Sequence, residues 1–219
     1  MDKLFIPVFL TAFLILSHAL AETSAPIKRL EDGRIEMGEV TIDPQKRSLT
    51  FPATVNMQTG MVEYVVVTST GKTHESVLRT EAKPFHIHTA MLLLGAKGGR
   101  DPAAFLDPKK ELPGEQIQIF AAWQDQRRPL QELVAHATNS RPMTLPHWIY
   151  NGSYASDDGR FLAQVEGSIV SLISDRGALI NNPRQDRDND ELWTVNTNTV
   201  PEVGTPVQVI IELPVPPSK

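Results

Sequence analysis

Histidine, carboxylate and serine side chains fall close together in His74-Glu75-Ser76 and in Pro84-Phe85-His86-Ile87-His88. If residues 84–94 are helical, His88 shares a face with Phe85 and Leu92 while His86 points elsewhere. If residues 85–88 are extended, both rings project from one face. His74, Glu75, His86 and His88 then form a three-histidine, one-carboxylate set suited to zinc or copper. The His-Glu-x-x-His spacing is absent, because residue 78 is Leu. Two other readings use the same side chains: a structural network in which His74 and His88 are satisfied by carboxylates or backbone, and acid–base catalysis.

A serine nucleophile is a further possibility. Ser76 or Ser168, with His74 and either Glu75 or Glu166, would compose a metal-free hydrolase triad, although no Gly-x-Ser-x-Gly elbow surrounds either serine. Asp186, Asp188 and Asp190 match the first three ligand positions of a calcium loop. The sixth position is Glu191 where glycine is needed and the twelfth is Thr197, so a solvated acidic loop competes with a cation site. Trp123, Trp148, Tyr150, Tyr154 and Trp193 could line a ligand groove or fill a core. Asn151-Gly152-Ser153 is a glycosylation sequon that matters only in a eukaryotic host. No glycine-rich phosphate loop is present.

Composition narrows these chemistries. The chain has 219 residues, a formal charge of −5 and no cysteine. Zero cysteine removes disulfides, thiolate nucleophiles and Cys-ligated zinc or iron–sulfur clusters. Mild acidity argues against a nucleic-acid binder. Residues 4–16 are apolar apart from Pro7 and Thr11, and Ala19-Leu20-Ala21 precedes the polar Glu22-Thr23-Ser24. This is the layout of a secretory signal cut after Ala21, the alternative being an uncleaved N-terminal anchor. The apolar core is shorter than the roughly 20 residues a spanning helix needs. The expectation is an exported protein, periplasmic or secreted, with no membrane span after cleavage.

The elements that must position the polar residues are mostly strands. An interior proline costs a helix about 3 kcal/mol, and 16 of the 17 prolines follow the signal, leaving 53–83 and 147–182 as the longest proline-free stretches. Residues 40–42 and 48–55 read as a hairpin, with Pro52 placing the second strand at an edge or bulge. Residues 61–68 and 73–80 read as a second hairpin about Thr70-Gly71. That pairing sets Val67 opposite His74, Val65 opposite Ser76 and Glu63 opposite Leu78, so polar groups would be buried among Val and Leu. Residues 116–123 with 127–131, then 148–150, 161–173 and 207–213, are further strands. Pro84 and Gly95 bracket the clearest helix, with short helices at 130–137 and 175–180. The expected fold is mainly β (α+β): an antiparallel, sandwich-like sheet with one well-formed helix near 84–95. Residues 22–37 would be a flexible lead-in, 38–213 one domain, and 214–219 an extended tail.

Three stretches together resemble a known family. They are Gly60-Met61-Val62-Glu63-Tyr64 through Gly71-Lys72-Thr73-His74-Glu75-Ser76; His88-Thr89-Ala90-Met91-Leu92-Leu93-Leu94-Gly95-Ala96; and Glu166-Gly167-Ser168-Ile169-Val170 with Ala178-Leu179-Ile180-Asn181-Asn182-Pro183 and Leu192-Trp193. Over residues 38–212 the chain looks like the YdjY-type domain of bacterial exported proteins, a family of unassigned function. The resemblance implies an envelope location. Some relatives are described as ferredoxin-like with iron–sulfur binding, a role that cannot carry over without cysteine. At the matching positions, Glu63, His74, Glu75, Ser76, His88, Glu166 and Asn181 are the family-pattern polar residues, which implies one site or one network. The expected function is an exported binding or interaction module engaging an envelope protein or small ligand. The alternatives are a metal-dependent protein using His74, Glu75 and His88, and a hydrolase.

Overall fold

Alternation of apolar and polar residues sets the inner face of the longest strands. The computed structural model describes residues 27–214. Its strands are β1 (Ile27–Arg29), β2 (Ile35–Met37), β3 (Val40–Asp43), β4 (Ser48–Val55), β5 (Tyr64–Thr68), β6 (Ser76–Thr80), β7 (Glu115–Trp123), β8 (Gln126–Pro129), β9 (Val134–His136), β10 (Trp148–Tyr150), β11 (Ser168–Ser171), β12 (Ile180–Asn181), β13 (Trp193–Val195) and β14 (Pro206–Glu212). The helices are α1 (Pro84–Leu93), α2 (Pro102–Leu106) and α3 (Leu162–Glu166). Leu49, Phe51, Ala53 and Val55 of β4 point inward, as do Ile117, Ile119 and Ala121 of β7 and Val207, Val209 and Ile211 of β14. Each large apolar side chain so buried contributes roughly 1.5–3 kcal/mol.

Strand exceeds helix, 37% to 14%, so the chain is mainly β as expected, but the strands close into an eight-stranded barrel rather than a sandwich. The closed path runs β4–β14–β7–β10–β12–β11–β5–β6 and returns to β4. Neighbours are antiparallel except β11/β12 and β5/β6. Closure leaves those eight strands no open edge. β1, β2 and β3 extend the sheet from β4, β8 hangs from β7, and β9 pairs with β13 in a separate ribbon. Pro52 sits where β4 exchanges one neighbour for another: β3 pairs with residues 48–50, and β6 with Thr54 and Val55. No ladder bond is therefore lost to its missing N–H on that side.

The helix at 84–95 forms as its end signals dictate. Pro84 occupies the first turn. Gly95 adopts φ +83°, its N–H donating to Leu92 O (2.9 Å) while Ala96 N–H donates to Met91 O (3.0 Å), a Schellman stop. Ile87, Ala90 and Met91 are buried beneath the helix. α2 went unanticipated although its signature was present: Pro102 at the start, and Asp101 Oδ1 accepting from Ala103 N–H at 3.0 Å.

Four expectations need correction. The second hairpin does not exist: β5 and β6 run parallel, with Tyr64 opposite Ser76 and Thr68 opposite Thr80. The chain turns at 69–71 and doubles back through 72–75 before β6 starts. This return is far shorter than the usual crossover between parallel strands. Gly71 permits it, because a Cβ there would lie 3.1 Å from the carbonyls of Glu166 and Gly167. Residues 161–173 are not one strand but α3, a stop at Gly167 (φ +72°), then β11. Neither 175–180 nor the whole of 130–137 is helical. The former is a turn in which Asp175 Oδ1 accepts from Gly177 N–H at 2.7 Å, and the latter is a 3-10 turn, Leu130–Leu133, followed by β9. Finally, β1 and β2 occupy residues expected to be a flexible lead-in. The proposed signal at 1–21 and the tail beyond Pro214 lie outside the described residues. Among the described residues no helix is long and apolar enough to cross a membrane.

Candidate functional site

The short return through 72–75 brings Lys72 over β5, facing the loop after β11. There Tyr64, buried at the start of β5, donates its hydroxyl to Asp175 Oδ2 at 2.9 Å, and Lys72 Nζ donates to the same hydroxyl. Lys72 Nζ is 3.8 Å from Asp175 Oδ2 and 4.6 Å from the Tyr64 ring centroid. Asp175 N–H donates to Asn181 Oδ1 (3.0 Å), Asn181 Nδ2 to Asn151 Oδ1 (3.1 Å), and Asn151 Nδ2 to Pro113 O (2.6 Å). A continuous relay therefore ties the 72–75 return, β5, the loop before β12, β12 and the segment after β10.

Burial and then the Asp175 charge push the Tyr64 phenol well above its ordinary value, so it stays a proton donor. Burial, then Asp175, raises Glu166, against the pull of Lys72 and Arg176. Burial, then Glu75, raises Glu63. The Lys72 ammonium, with Arg176 acting on Glu166, balances the carboxylates of this corner.

Asn181 and, through the shared field, Glu63, Glu75, Glu166 and, from the surface, His74 belong to this corner; Ser76, Ser168 and His88 take no part in the relay. His74 has a side chain 78% exposed, with Nε2 3.6 Å from Glu75 Oε2. It is no core histidine, and its removal leaves no buried partner stranded. Ser76 is fully buried with Oγ donating to Leu78 O at 2.9 Å. Ser168 Oγ is buried on β11, and neither serine is hydrogen-bonded to His74, so the triad is not assembled. His88 lies elsewhere, its Nδ1 2.8 Å from the Tyr150 hydroxyl and its ring 4.9 Å from that of Phe161. Burial, with Arg100 adding to it, lowers its pKa below 6.5.

The metal set is not brought together. α1 is a helix, so His86 and His88 diverge by about 200° around its axis, and His86 is buried while His74 faces solvent. Among the described residues no three His, Asp or Glu side chains could hold one ion. The acidic loop does not converge either. Asp186 accepts a fork from Arg184, with Nε at 2.9 and 3.1 Å from its two oxygens, while Asp188 and Asp190 are exposed.

That loop is organised instead by Arg187, 1% exposed. Its guanidinium donates to the carbonyls of Pro108 (2.8 Å), Arg184 (2.8 Å), Ala104 (3.0 Å), Asp107 (3.2 Å), Lys110 (2.7 Å) and, more weakly, Pro183 (3.4 Å). Tyr64, Lys72, Asp175, Asn151 and Arg187 were not singled out as site residues from the sequence. Tyr64 and Lys72 stand inside the family-like stretch, so that signal was available; nothing in the pattern distinguishes Arg187 from a solvated arginine.

Of the five aromatics expected to line a groove or fill a core, Trp123, Trp148, Tyr150 and Trp193 are core, and Tyr154 packs edge-on against Phe105. Trp193, 3% exposed, lies behind an open cleft of about 520 Å³ beside His136, Asn139, Arg141 and Arg184. Its ring meets His136 edge-on, with centroids 5.8 Å apart, and Arg184 Cζ lies 5.4 Å from its centroid.

Comparison with known proteins gives one match: the family model described as YdjY domain covers residues 40–212. No curated protein and no solved structure matches.

Proposed function

The chain belongs to the YdjY domain family, and from that premise we propose that it is an exported, non-catalytic binding module whose buried polar network is structural. One contrast carries the reading. The side chains best suited to acid–base work, Lys72, Tyr64 and Asp175, engage one another and pass on to Asn181 and Asn151, whereas the cleft beside β9 and β13 is open and lined by His136, Asn139, Arg141 and Arg184. Saturated buried networks rigidify a fold; concave surfaces with a few convergent polar groups bind ligands. The layout of residues 1–24 supports export.

The test is Tyr64→Phe. It deletes one hydroxyl that both donates to Asp175 and accepts from Lys72, and should cost about 1–2 kcal/mol in urea denaturation. An unchanged midpoint would mean that the network does not hold the loops, and would return these groups to candidacy for chemistry.

A further inference from the structure

The outer face of α1 is as apolar as the face it packs on the barrel. Pro84, Ile87, Ala90 and Met91 are buried, while Phe85, Leu92 and Leu93 are turned outward. Phe85 and Leu92 stand two turns apart on one face, and Thr89 between them spends its hydroxyl on Phe85 O at 2.8 Å. α3 continues the surface. Phe161 meets Phe85 edge-on with ring centroids 6.4 Å apart, Phe85 N–H donates to Gln164 Oε1 at 3.2 Å, and Val165, one turn on, donates its N–H to Phe161 O at 3.1 Å. Phe85, Leu92, Leu93 and Val165 are each 51–57% exposed. A helix that is apolar all round is normally buried, so this one lacks a cover.

Charge and area identify the cover. No carboxylate occurs between Glu81 and Asp101, although the chain as a whole carries −5. Lys83 precedes the helix and Lys97 and Arg100 follow it, all three exposed and without an ion pair among the described residues. Arg100 lies near enough to His88 of α1 for its charge to disfavour the imidazolium. The bordering carboxylates are turned to their own loops: Glu81 accepts from Ser69 Oγ, Asp101 from Ala103 N–H at 3.0 Å and Glu115 from Lys97 N–H at 3.2 Å. The result is an apolar strip with a cationic rim. A second copy fits it poorly, because an isologous contact would set these cations against one another. Four half-exposed side chains also offer on the order of 400 Å², about half of the roughly 800 Å² per partner of a stable interface. A lipid leaflet sets no such minimum, since each side chain inserted among acyl chains and each cation near anionic headgroups adds its own attraction. We propose that α1, with Val165 of α3, seats this domain on an anionic phospholipid surface, Phe85, Leu92 and Leu93 entering the acyl region and Lys83, Lys97 and Arg100 lying at the headgroups. The inference goes beyond the binding-module reading and uses none of the residues that line the cleft.

The test is flotation of the full exported protein with vesicles of phosphatidylcholine alone and of phosphatidylcholine mixed equally with phosphatidylglycerol. Leu92→Gln/Leu93→Gln, Lys97→Gln/Arg100→Gln and Phe85→Trp are compared with the parent. The parent should float with the anionic vesicles and not with the zwitterionic ones. Each cation at such a surface contributes about fivefold, so losing two should weaken binding by about twentyfold, and added salt should weaken it as well. Losing both leucines should cost about tenfold or more. The emission of Phe85→Trp should be quenched by brominated acyl chains beyond that of the parent's buried tryptophans. The substituted positions are exposed and glutamine is a good helix former, so the variants should keep the parent's denaturation midpoint, and a loss of binding is not a loss of fold. Equal flotation with both vesicles, unchanged binding by the leucine variant, or no added quenching in Phe85→Trp would each overturn the proposal. So would a concentration-dependent dimer that the leucine variant disperses, without flotation, which would make the cover a second copy. The Tyr64→Phe midpoint is read without lipid, so either reading can fail alone.

Discussion

Arg187→Met is the most searching perturbation of the fold around the cleft. The substitution keeps an unbranched apolar stem and deletes a guanidinium that is 1% exposed and donates to six backbone carbonyls between residues 104 and 110 and between 183 and 184. The six do not weigh equally. Ala104 is fully buried, so its carbonyl has no water to turn to, whereas Lys110 is exposed and its carbonyl can rehydrate. One stranded buried acceptor costs about 1–3 kcal/mol, and hydrogen bonds from a charged donor contribute about 1.5–3 each. Against this, deleting the charge removes its own desolvation cost, which is already large for a buried ion. A net loss of about 3–5 kcal/mol follows. For a chain of this length that corresponds to a melting temperature lower by roughly 6–20 °C.

Urea denaturation read by the emission of the buried Trp123, Trp148 and Trp193 measures it, with limited proteolysis reporting release of residues 101–114. Arg187→Lys should recover only part of the loss, because an ammonium cannot reproduce the planar fork. A Met variant within about 0.5 kcal/mol of the parent, or full recovery by Lys, would refute the assignment of Arg187 as the tie between the two loops.

Three further expectations concern pH and processing. Glu166 has a carboxyl raised above 4.5 by burial and by Asp175, so its contribution to stability is present below the ordinary carboxylate range and lost as pH rises through the raised value. Glu166→Gln should therefore gain on the parent between about pH 4 and pH 8 in denaturation midpoints; a constant difference would contradict the sign. His88 is shifted the other way, below 6.5, so its contribution is present above the ordinary histidine value and lost on acidification through the lowered one. An NMR titration midpoint at or above 6.5 would refute the burial argument. N-terminal sequencing of the exported protein should begin at Glu22; a retained Met1 would favour the anchor reading of residues 4–16.

Elements with their own end signals or a one-sided pattern were legible. Pro84 and Gly95 delimit α1, and the alternation of Leu49, Phe51 and Ala53 gives β4 its inner face. β5 and β6 were misread for the opposite reason. Val65, Val66, Val67, Val77 and Leu78 are all fully buried, so no polar face orients the pair, and period-two alternation is blind to strand direction. The site suffered with it: an antiparallel pairing put His74 against Val67, while the parallel one turns His74 to solvent and delivers Lys72 to Tyr64.

Composition and local pattern alone determined the absence of thiol chemistry, the leader-like first 21 residues, the preponderance of strand, the one good helix and the family resemblance. Each depends on residue type and near neighbours along the chain. Tertiary structure alone decided barrel closure between β4 and β6, the insertion of the last strand between β4 and β7, the Lys72–Tyr64–Asp175–Asn181–Asn151 relay and the burial of Arg187. The barrel pairings and the Tyr64–Asp175, Asn181–Asn151 and Arg187–Ala104 bonds join residues tens of positions apart. Their partners are chosen by which surfaces can be buried together with every polar group satisfied, a condition on the whole chain that no local window contains.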